Sequence, residues 1–374
     1  MLVNLRVVLT IFRDSARVLH MLARKATQSI LQFAKQYPII TLTGPRQSGK
    51  TTLTKICFPE KPYLSLEDPD TRKIAIEDPR SILERYPSGA ILDEVQNAPE
   101  LFSYIQTHVD HVNKEGMYIL TGSQQFGMME NVTQSLAGRT AITCLLPLSY
   151  SETQTNLDLN QILFTGGFPR IYDKKLNPTD AMRFYVQTYL ERDVRKLINL
   201  KNMRTFEIFL GIIAGRSGQL SNTENIANEC GVTHNTVKNW ISILEASYII
   251  KLVPPYHRNL NKRLIKMPKI FFLDTGLLCF LLGIYSPDQL HGHPLRGSIF
   301  ETFIYTELYK TIAHQNLPFQ IFFFRDYAGH EVDFVIDTGS DVRLIEAKAS
   351  ATFNSDQLNG IRYASTLFQS STAG

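Results

Sequence analysis

The sequence lacks the features of a membrane-spanning, disulfide-bonded or cysteine-metal protein. Its four cysteines, at 57, 144, 230 and 279, are too far apart for a C-x-x-C redox or zinc pattern. No apolar run approaches the roughly 20 residues that span a bilayer, and the net charge of +4 is small for 374 residues. We therefore expect a cytoplasmic protein with reduced thiols, no membrane span, and no compositional preference for nucleic acid.

The composition is that of a folded protein, with 44% apolar and 20% charged residues and enough length for two or three domains. The first 26 residues carry arginines and little acid, as amphipathic targeting peptides do. Arg6 interrupts the apolar part of this stretch, which argues against a secretory signal. Met21 is an alternative natural start, and the sequence leaves the choice between Met1 and Met21 open.

The strongest motif is a glycine-rich turn between an apolar strand and a helix. Residues 44–51 fit G-x-x-x-x-G-K-[ST], and the apolar run 37–42 supplies the preceding strand. Such a loop points backbone N–H groups at phosphate, so Lys50 is predicted to reach the phosphates of ATP and Thr51 to hold Mg²⁺. A plain glycine turn is the weaker alternative. The predicted nucleotide-binding residues are Gly44, Pro45, Arg46, Gln47, Ser48, Gly49, Lys50, Thr51 and Thr52.

An acidic pair ends the apolar strand at 89–95. Asp93 is predicted to hold Mg²⁺, and Glu94 to orient and polarise the attacking water. An acidic cap on the next helix is the alternative. The strand at 117–124 ends in small polar residues, so Ser123 or Thr121 is a candidate sensor of the γ-phosphate, although this is also turn chemistry. Arg139 is either an arginine finger or a surface charge.

Strands alternate with helices over residues 36–150, which predicts a parallel sheet covered on both faces. The strand at 62–66 lies between the phosphate loop and the acidic strand in the sequence. This order suggests that an extra strand separates the two in the sheet, and it favours a glutamate-activated water.

At these residues the chain resembles the AAA-type ATPases, in particular the bacterial and archaeal group with a C-terminal domain of unknown function. The motifs that carry the resemblance are Leu66-Glu-Asp-Pro69, Leu92-Asp-Glu-Val-Gln96, Thr121-Gly-Ser123, Ser135-Leu-Ala-Gly-Arg139, Pro147-Leu-Ser149, Gly166-Gly-Phe-Pro169 and Tyr189-Leu-Glu-Arg-Asp193. The expected domains are an N-terminal extension and helix at 1–35, an AAA-type ATP-binding domain at 36–150, a helical lid at 151–204, a winged helix at 205–256 and a restriction-endonuclease-like α/β domain at 257–374.

The winged helix is predicted from a helix-turn-helix pattern in which Thr233 caps the second helix and Val237, Ile241 and Leu244 form its apolar face. Two interpretations are open. The module contacts DNA, or it packs against the ATPase core or a protein partner, which is slightly favoured. The residues of the DNA alternative are His234, Asn235, Lys238 and Asn239, followed by the basic residues Arg258, Lys262, Arg263, Lys266 and Lys269.

The C-terminal third carries a second candidate site. Asp333 lies on one predicted strand, Glu346 and Lys348 share a face of the next, and Glu301 lies on a preceding helix. This order resembles the metal site of restriction-endonuclease-like folds, in which the lysine aligns a water. The pattern also arises by chance and persists in non-cleaving scaffolds. No strand to close the sheet follows the helix near 356–365, so the C-terminus is predicted to be truncated.

The sequence therefore predicts an ATPase that hydrolyses ATP with Mg²⁺ and acts on an unknown protein client. The alternatives are an ATP-gated metal-dependent nuclease and a nucleotide-gated switch that binds DNA or protein. The sequence does not identify the client or the oligomeric state. In a ring, Arg139 would act on a neighbouring subunit's nucleotide, and in a monomer on its own.

Overall fold

The computed structural model describes residues 23–123, 132, 134–189, 203–256, 266–349 and 358–370. Within these ranges the chain forms two compact units. The first unit holds residues 23–148 together with 313–317, and the second holds 149–312 and 318–370. None of the helices in the described ranges is both long enough and apolar enough to cross a membrane.

The first unit is built on a parallel sheet. Its strands are β1 (Ile39–Thr43), β2 (Tyr63–Ser65), β3 (Ile91–Asp93), β4 (Tyr118–Thr121) and β5 (Thr140–Cys144). Its helices include α1 (Ala26–Phe33), α2 (Lys50–Cys57), α3 (Pro69–Glu77), α4 (Pro79–Arg85) and α5 (Leu101–Val112). The strand order is β2-β3-β4-β1-β5, with every neighbouring pair parallel. The predicted parallel α/β sheet is confirmed.

The prediction that an extra strand separates the phosphate-loop strand β1 from the acidic strand β3 is confirmed. That strand is β4, whereas β2, from the segment at 62–66, lies at the edge of the sheet. Burial gives the physical reason. All four residues of β4 are buried, so it requires neighbours on both sides, whereas only Leu64 of the three residues of β2 is buried.

Helix α1 belongs to the core of the first unit. Ala26 and Ile30 are fully buried and pack in the same cluster as Ile40 and Leu42 of β1. Burial of two apolar side chains contributes roughly 2–4 kcal/mol of stabilisation. A domain boundary at residue 36 therefore cuts off a helix that the sheet needs, because without α1 part of one face of β1 would be open to water.

The second unit begins with four short helices, α6 (Tyr150–Thr153), α7 (Leu159–Thr165), α8 (Pro169–Asp173) and α9 (Pro178–Tyr185). Between α7 and α8 lies the predicted Gly-Gly-Phe-Pro turn. The Gly167 N–H donates to Asp274 Oδ2 at 2.7 Å, and a Cβ on Gly166 would lie 2.4 Å from Asp274 Oδ1. The turn thus uses glycine so that its backbone can approach a buried carboxylate, whose pKa is raised by that burial. Residues 190–193 of the motif at 189–193 lie outside the described residues.

Three helices and a small sheet follow. They are α10 (Met203–Gly215), β6 (Gln219–Leu220), α11 (Thr223–Cys230), α12 (His234–Ala246), β7 (Ile250–Val253) and β8 (Lys269–Phe272). The antiparallel sheet has the order β6-β8-β7. The Thr236 N–H donates to the Thr233 hydroxyl, as the predicted cap requires, and the three residues of the predicted apolar face are buried. A boundary after residue 256 cuts this sheet, because β8 pairs with β6 and β7.

The rest of the second unit contains α13 (Thr275–Leu281), α14 (Arg296–His314), β9 (Gln320–Arg325), β10 (Glu331–Asp337), β11 (Val342–Ile345) and α15 (Asn359–Ser370). Residues 313–314, at the end of α14, are grouped with the first unit. The sheet β11-β10-β9 is antiparallel. Side chains of α15 such as Ile361, Ala364 and Phe368 pack against Phe324 and Val335 of this sheet. The order helix, three strands, helix matches the sequence expectation.

Candidate functional site

The glycine-rich turn forms a tight loop between β1 and α2. Gly44 and Gly49 have φ values of 140° and 92°, and Gln47 lies between them with a φ of 63°. A Cβ on Gly44 would lie 2.2 Å from the carbonyl oxygen of Leu145, so the first glycine cannot be replaced without moving the backbone. The left-handed Gln47 was not foreseen, because the motif leaves this position free. The loop ends where α2 begins, at Lys50.

The Lys50 ammonium lies inside this loop. Lys50 is 6% exposed, and its Nζ donates to the carbonyl oxygens of Gly44 and Pro45, each at 2.9 Å. Burial lowers the pKa of Lys50, while the nearby carboxylates of Glu94 and Asp93 oppose that shift. Lys50 makes no salt bridge within the part of the chain that the structure describes. Its charge is held by neutral carbonyl groups, which an anionic ligand can replace.

Two residues predicted to hold a metal are in direct contact. The Thr51 hydroxyl donates to Asp93, at 2.9 Å from Oδ2 and 3.1 Å from Oδ1. Asp93 also accepts hydrogen bonds from the hydroxyls of Tyr63, at 2.7 Å, and Thr121. The sequence makes Thr121 a candidate sensor of the γ-phosphate, but the structure places its hydroxyl on Asp93. The sequence does not predict the contact of Tyr63, because it depends on the register in which β2 pairs with β3.

Glu94 and Ser123 are also brought together. Glu94 follows β3 with a left-handed φ of 56°, and its Oε2 accepts from the Ser123 hydroxyl at 3.0 Å and from the side-chain amide of Gln96. The Glu94 N–H donates to the Thr121 hydroxyl at 3.3 Å. A non-glycine residue with positive φ is uncommon, and such strained positions cluster at functional sites. The carboxylate of Glu94 is therefore oriented by partners on two neighbouring segments.

The remaining loop residues differ in exposure. Pro45 and Ser48 are buried, whereas Gln47 and Thr52 are exposed, and Arg46 Nη2 lies 4.0 Å from the Glu67 carboxylate. An anchor that the motif does not contain is the Arg24 guanidinium. It donates to the carbonyl oxygens of Ser48, at 2.8 Å, and Leu146, at 2.6 Å, and so ties the loop to the segment after β5.

Arg139 lies away from this group. It precedes β5, and its carbonyl oxygen accepts from the Ile39 N–H at the start of β1, whereas the phosphate loop follows the end of β1. Five residues of strand separate the two ends, about 16 Å at 3.3 Å per residue. The guanidinium pairs with Asp110 through Nε at 2.6 Å and Nη2 at 2.7 Å. The prediction that Arg139 acts on the nucleotide of its own chain is therefore wrong, because Arg139 lies at the amino ends of the strands and the phosphate loop lies at their carboxyl ends.

The residues at the loop fit a magnesium-triphosphate group. The hydroxyl of Thr51 and the carboxylate of Asp93 are hard oxygen ligands, and few protein oxygens suffice for Mg²⁺ when phosphate and water supply the others. The N-terminus of α2 and the glycine-curled backbone offer N–H groups to phosphate. Asp93, Glu94 and Ser123 lie at the carboxyl ends of parallel strands or just after them, where α/β folds bind ligands, and Thr51 contacts Asp93 there from the first turn of α2.

The second candidate site also assembles in part. Asp333 and Glu346 are buried, and Lys348 Nζ lies 3.4 Å from Asp333 Oδ2 and 2.6 Å from Glu346 Oε1. The Ala347 N–H donates to Asp333 Oδ2 at 2.8 Å. Burial and the neighbouring Asp333 raise the pKa of Glu346. The predicted face-sharing of Glu346 and Lys348 thus brings both side chains to Asp333.

Glu301 has a partner that was not foreseen. Lys269 Nζ lies 3.0 Å from Glu301 Oε1 and 2.7 Å from Glu331 Oε1, and the Lys269 side chain is 4% exposed. Burial alone would lower the pKa of Lys269, but the carboxylates of Glu301 and Glu331 outweigh it and raise that pKa. The interpretation of Lys269 as an exposed DNA-contacting residue is wrong, because its side chain points into this cluster.

The cluster around Asp333 does not fit a divalent metal. In the described ranges, no group of three or more His, Cys, Asp or Glu side chains has the geometry to hold a metal ion. The ammonium groups of Lys269 and Lys348 occupy the space between the carboxylates and already neutralise them. The proposed second metal site at Glu301, Asp333, Glu346 and Lys348 is therefore better described as an ion-pair network.

The candidate DNA-contacting helix is α12. Asn235, Lys238 and Asn239 are exposed on it, but the ring of His234 is bonded to the Thr223 hydroxyl at 2.7 Å. Lys266 is exposed, and residues 258, 262 and 263 lie outside the described ranges. A single lysine on the exposed face of α12 offers little positive charge to the phosphates of a nucleic acid.

Comparisons with known proteins agree with the geometry of the first unit. Residues 36–154 match the family model of an AAA domain. Residues 156–288 and 296–373 match two domains of unknown function, DUF8612 and DUF4143. These matches support the resemblance to an AAA-type ATPase that carries a C-terminal domain of unknown function.

Two curated relatives cover most of the chain. The uncharacterized protein Rv2008c of Mycobacterium tuberculosis is 27% identical over 334 residues, 88% of this chain and 74% of the relative. The uncharacterized protein MJ1544 of Methanocaldococcus jannaschii is 22% identical over 346 residues, 82% of this chain and 74% of the relative.

Among solved structures, the Walker-type ATPase PABY2304 of Pyrococcus abyssi matches with a TM-score of 0.47 and 14% identity, over 72% of this chain and 98% of that protein. The AMPPCP-bound DnaA of Aquifex aeolicus matches with a TM-score of 0.31 and 15% identity, over 59% of this chain and 86% of that protein.

Proposed function

We propose that the first unit binds ATP together with Mg²⁺ and hydrolyses the bond between the β- and γ-phosphates. The observation that carries this proposal is the hydrogen bond between the Thr51 hydroxyl and the Asp93 carboxylate, beside the loop that holds Lys50. Thr51 and Asp93 are 42 residues apart in the sequence, and strand β4 lies between β1, which leads into the loop, and β3, which ends in Asp93. The match of residues 36–154 to an AAA domain supports the same reaction class.

Each residue has a role in this reaction. Lys50 leaves the carbonyls of the loop and neutralises β- and γ-phosphate charge, while the loop N–H groups bind the β-phosphate. Thr51 and Asp93 would hold the metal, which would supply charge neutralisation to the phosphate oxygens. Glu94 accepts a proton from the attacking water, and Ser123 holds its carboxylate in position for that transfer.

The second unit couples the ATPase to a client. The order of three helices, the strand β6 and the antiparallel pair β7 and β8 supports the expected winged helix. The order of α14, β9–β11 and α15 supports the expected endonuclease-like domain. A protein client is favoured over DNA, because α12 exposes one lysine among the residues described. A non-cleaving role is favoured for the endonuclease-like part, because lysines neutralise its carboxylates.

Phosphate release from ATP by the purified full-length chain tests the proposal. We expect Mg²⁺-dependent release from the wild type, weakened nucleotide binding for Lys50→Met, and retained binding with a roughly 10²- to 10⁴-fold loss of turnover for Glu94→Gln. The control is Lys73→Met, which removes an exposed lysine of α3 in the same unit. Nucleotide binding and turnover that are unchanged in Lys50→Met would overturn the assignment.

A single-turnover measurement separates the ATPase from a nucleotide-gated switch. With enzyme in excess over radiolabelled ATP, an ATPase converts the bound nucleotide within minutes. A switch retains intact ATP over the same period, and Lys50→Met still weakens nucleotide binding.

A further inference from the structure

Asp93 is held by hydroxyl groups from three different segments. Thr51 donates from α2, Tyr63 from β2 and Thr121 from β4, so both carboxylate oxygens have donors. An ionised carboxylate offers about four lone-pair positions, and these contacts fix both its position and its rotation. Thr51 and Asp93 are the proposed ligands of the metal. Tyr63 is the donor that reaches Asp93 from the edge strand of the sheet.

The ring of Tyr63 is itself held in place. Lys55, in the last turn of α2, has its Nζ 3.5 Å from the centroid of the Tyr63 ring. Tyr63 is opposite Ile91 in the pairing of β2 with β3, two residues before Asp93, so the side chains of Tyr63 and Asp93 share a face of the sheet. A cation over the face of an aromatic ring is attracted to the ring, so the Lys55 ammonium restrains the position of the Tyr63 ring. The contacts of Lys55 with Tyr63 and of Tyr63 with Asp93 therefore connect α2 to the acidic strand β3.

We propose that Tyr63, with Lys55 over its ring, is a positioning residue that keeps the Asp93 carboxylate oriented for Mg²⁺. This inference rests on the proposed function of the same site. When the Thr51 hydroxyl turns toward a metal, its hydrogen bond to Asp93 weakens. The Tyr63 hydroxyl, 2.7 Å from Oδ2, then restrains the rotation of the carboxylate from the side opposite to the phosphate loop.

The role is specific to the hydroxyl group. Phenylalanine keeps the ring, its packing in the cluster with Ile91 and Leu53, and its contact with Lys55. Tyr63→Phe therefore removes one hydrogen bond and leaves the fold intact, which separates a positioning role from a packing role. The matched control is Tyr104→Phe, which removes the hydroxyl of a tyrosine that is 36% exposed on α5.

The experiment measures the affinity of a fluorescent ATP analogue across a Mg²⁺ titration and in EDTA. For Tyr63→Phe we expect the half-saturating Mg²⁺ concentration to rise roughly 10-fold, because one hydrogen bond to a charged group is lost. The affinity in EDTA should stay within about 2-fold, because Lys50 and the loop N–H groups are unchanged. Lys55→Met keeps most of the stem but removes the charge, and a smaller rise of roughly 3-fold is expected.

The outcomes distinguish this inference from the proposed function. A wild type that binds the analogue with no Mg²⁺ dependence refutes the metal site itself. A wild type with normal Mg²⁺ dependence and a Tyr63→Phe variant that matches it refute the positioning role alone. Equal weakening of binding in EDTA and in Mg²⁺ would instead assign Tyr63 to the general structure of the site.

Discussion

We predict that the buried charge of Lys269 stabilises the second unit. Its ammonium contacts the carboxylates of Glu301 and Glu331 at 3.0 and 2.7 Å, and its side chain is 4% exposed. Lys269→Met keeps most of the volume but leaves both acids without this partner. Glu331 retains Arg325 at 3.4 Å, so Glu301 carries most of the loss. Removing one member of a buried pair costs about 3 kcal/mol of the free energy of unfolding.

The size of this loss depends on pH. Burial raises the pKa of Glu301 to about 7, against the opposing effect of Lys269 and with a further rise from Asp333. Without Lys269 this pKa rises further, so Glu301 in the variant takes up a proton near neutral pH and no longer leaves a buried negative charge. We therefore expect the full loss of about 3 kcal/mol at pH 8 and a smaller loss at pH 6.

Urea unfolding at pH 6 and pH 8, followed by tryptophan fluorescence, measures the free energy of unfolding of Lys269→Met and the wild type. The chain has one tryptophan, Trp240, which is 3% exposed in α12 and packs against Phe206 and Phe209 in the same unit as Lys269. The double variant Lys269→Met/Glu301→Gln should recover most of the loss, because it removes the unpaired acid. The control Lys251→Met removes a partly exposed pair with Glu245 and should cost less than about 1 kcal/mol. A loss below about 1 kcal/mol for Lys269→Met at pH 8, or no recovery in the double variant, would refute the reasoning.

Three further predictions concern Glu301, Gly44 and Arg139. The folded-state pKa of Glu301, about 7, lies above the ordinary value of 4.5. Its protonation therefore stabilises the fold fully below pH 4.5, and this stabilisation is lost as pH rises through 7. In urea titrations, Glu301→Gln should reduce the dependence of the free energy of unfolding on pH over this range. The control Glu207→Gln, at an exposed position, should not. Gly44→Ala should weaken nucleotide affinity at least 10-fold, since its Cβ would meet the Leu145 carbonyl, whereas Gly138→Ala, with no atom within 4 Å, should cost only about 1 kcal/mol of stability. Arg139→Ala should leave the turnover of dilute, monomeric protein unchanged, and a loss that appears only at concentrations where chains associate would identify an arginine finger that acts on a neighbour.

Much of the first unit is encoded locally, which is why the sequence predicts it. The phosphate loop is a contiguous motif, and its conformation follows from glycines at Gly44 and Gly49 between a buried strand and a helix. The contact of Thr51 with Asp93 follows from the rule that parallel strands present their carboxyl ends at one edge. These predictions require no knowledge of which strands are neighbours.

The contacts that were missed depend on lateral order. Tyr63 reaches Asp93 only because β2 lies beside β3 at the edge of the sheet, and Thr121 reaches it only because β4 lies on the other side. The sequence order of the strands does not show that β4 is the second neighbour of β3. In the same way, Lys269 reads as one of several basic residues after the helix-turn-helix, and only the pairing of β8 with β6 and β7 turns its side chain inward.

The kind of partner that holds each carboxylate separates the two candidate sites chemically. In the first unit, Asp93 and Glu94 are held by hydroxyl and amide groups, which orient the carboxylates without cancelling their charge. Lys50 is bonded to neutral carbonyls and keeps its charge for an anion. In the second unit, ammonium groups hold Glu301 and Glu346 and cancel their charge.

A divalent cation gains attraction from oriented, uncancelled carboxylates and must displace an ammonium group from paired ones. The physical chemistry of the two clusters therefore supports the proposal that Thr51 and Asp93 serve metal-dependent hydrolysis and that the ion-pair network around Lys269 is structural. Stabilisation of the wild type by Mn²⁺ that is lost in Asp333→Asn but kept in Asp93→Asn would contradict this assignment. If the assignment holds, we expect the second cluster to gain affinity for Mn²⁺ in Lys269→Met, because the cation no longer has to displace the Lys269 ammonium group.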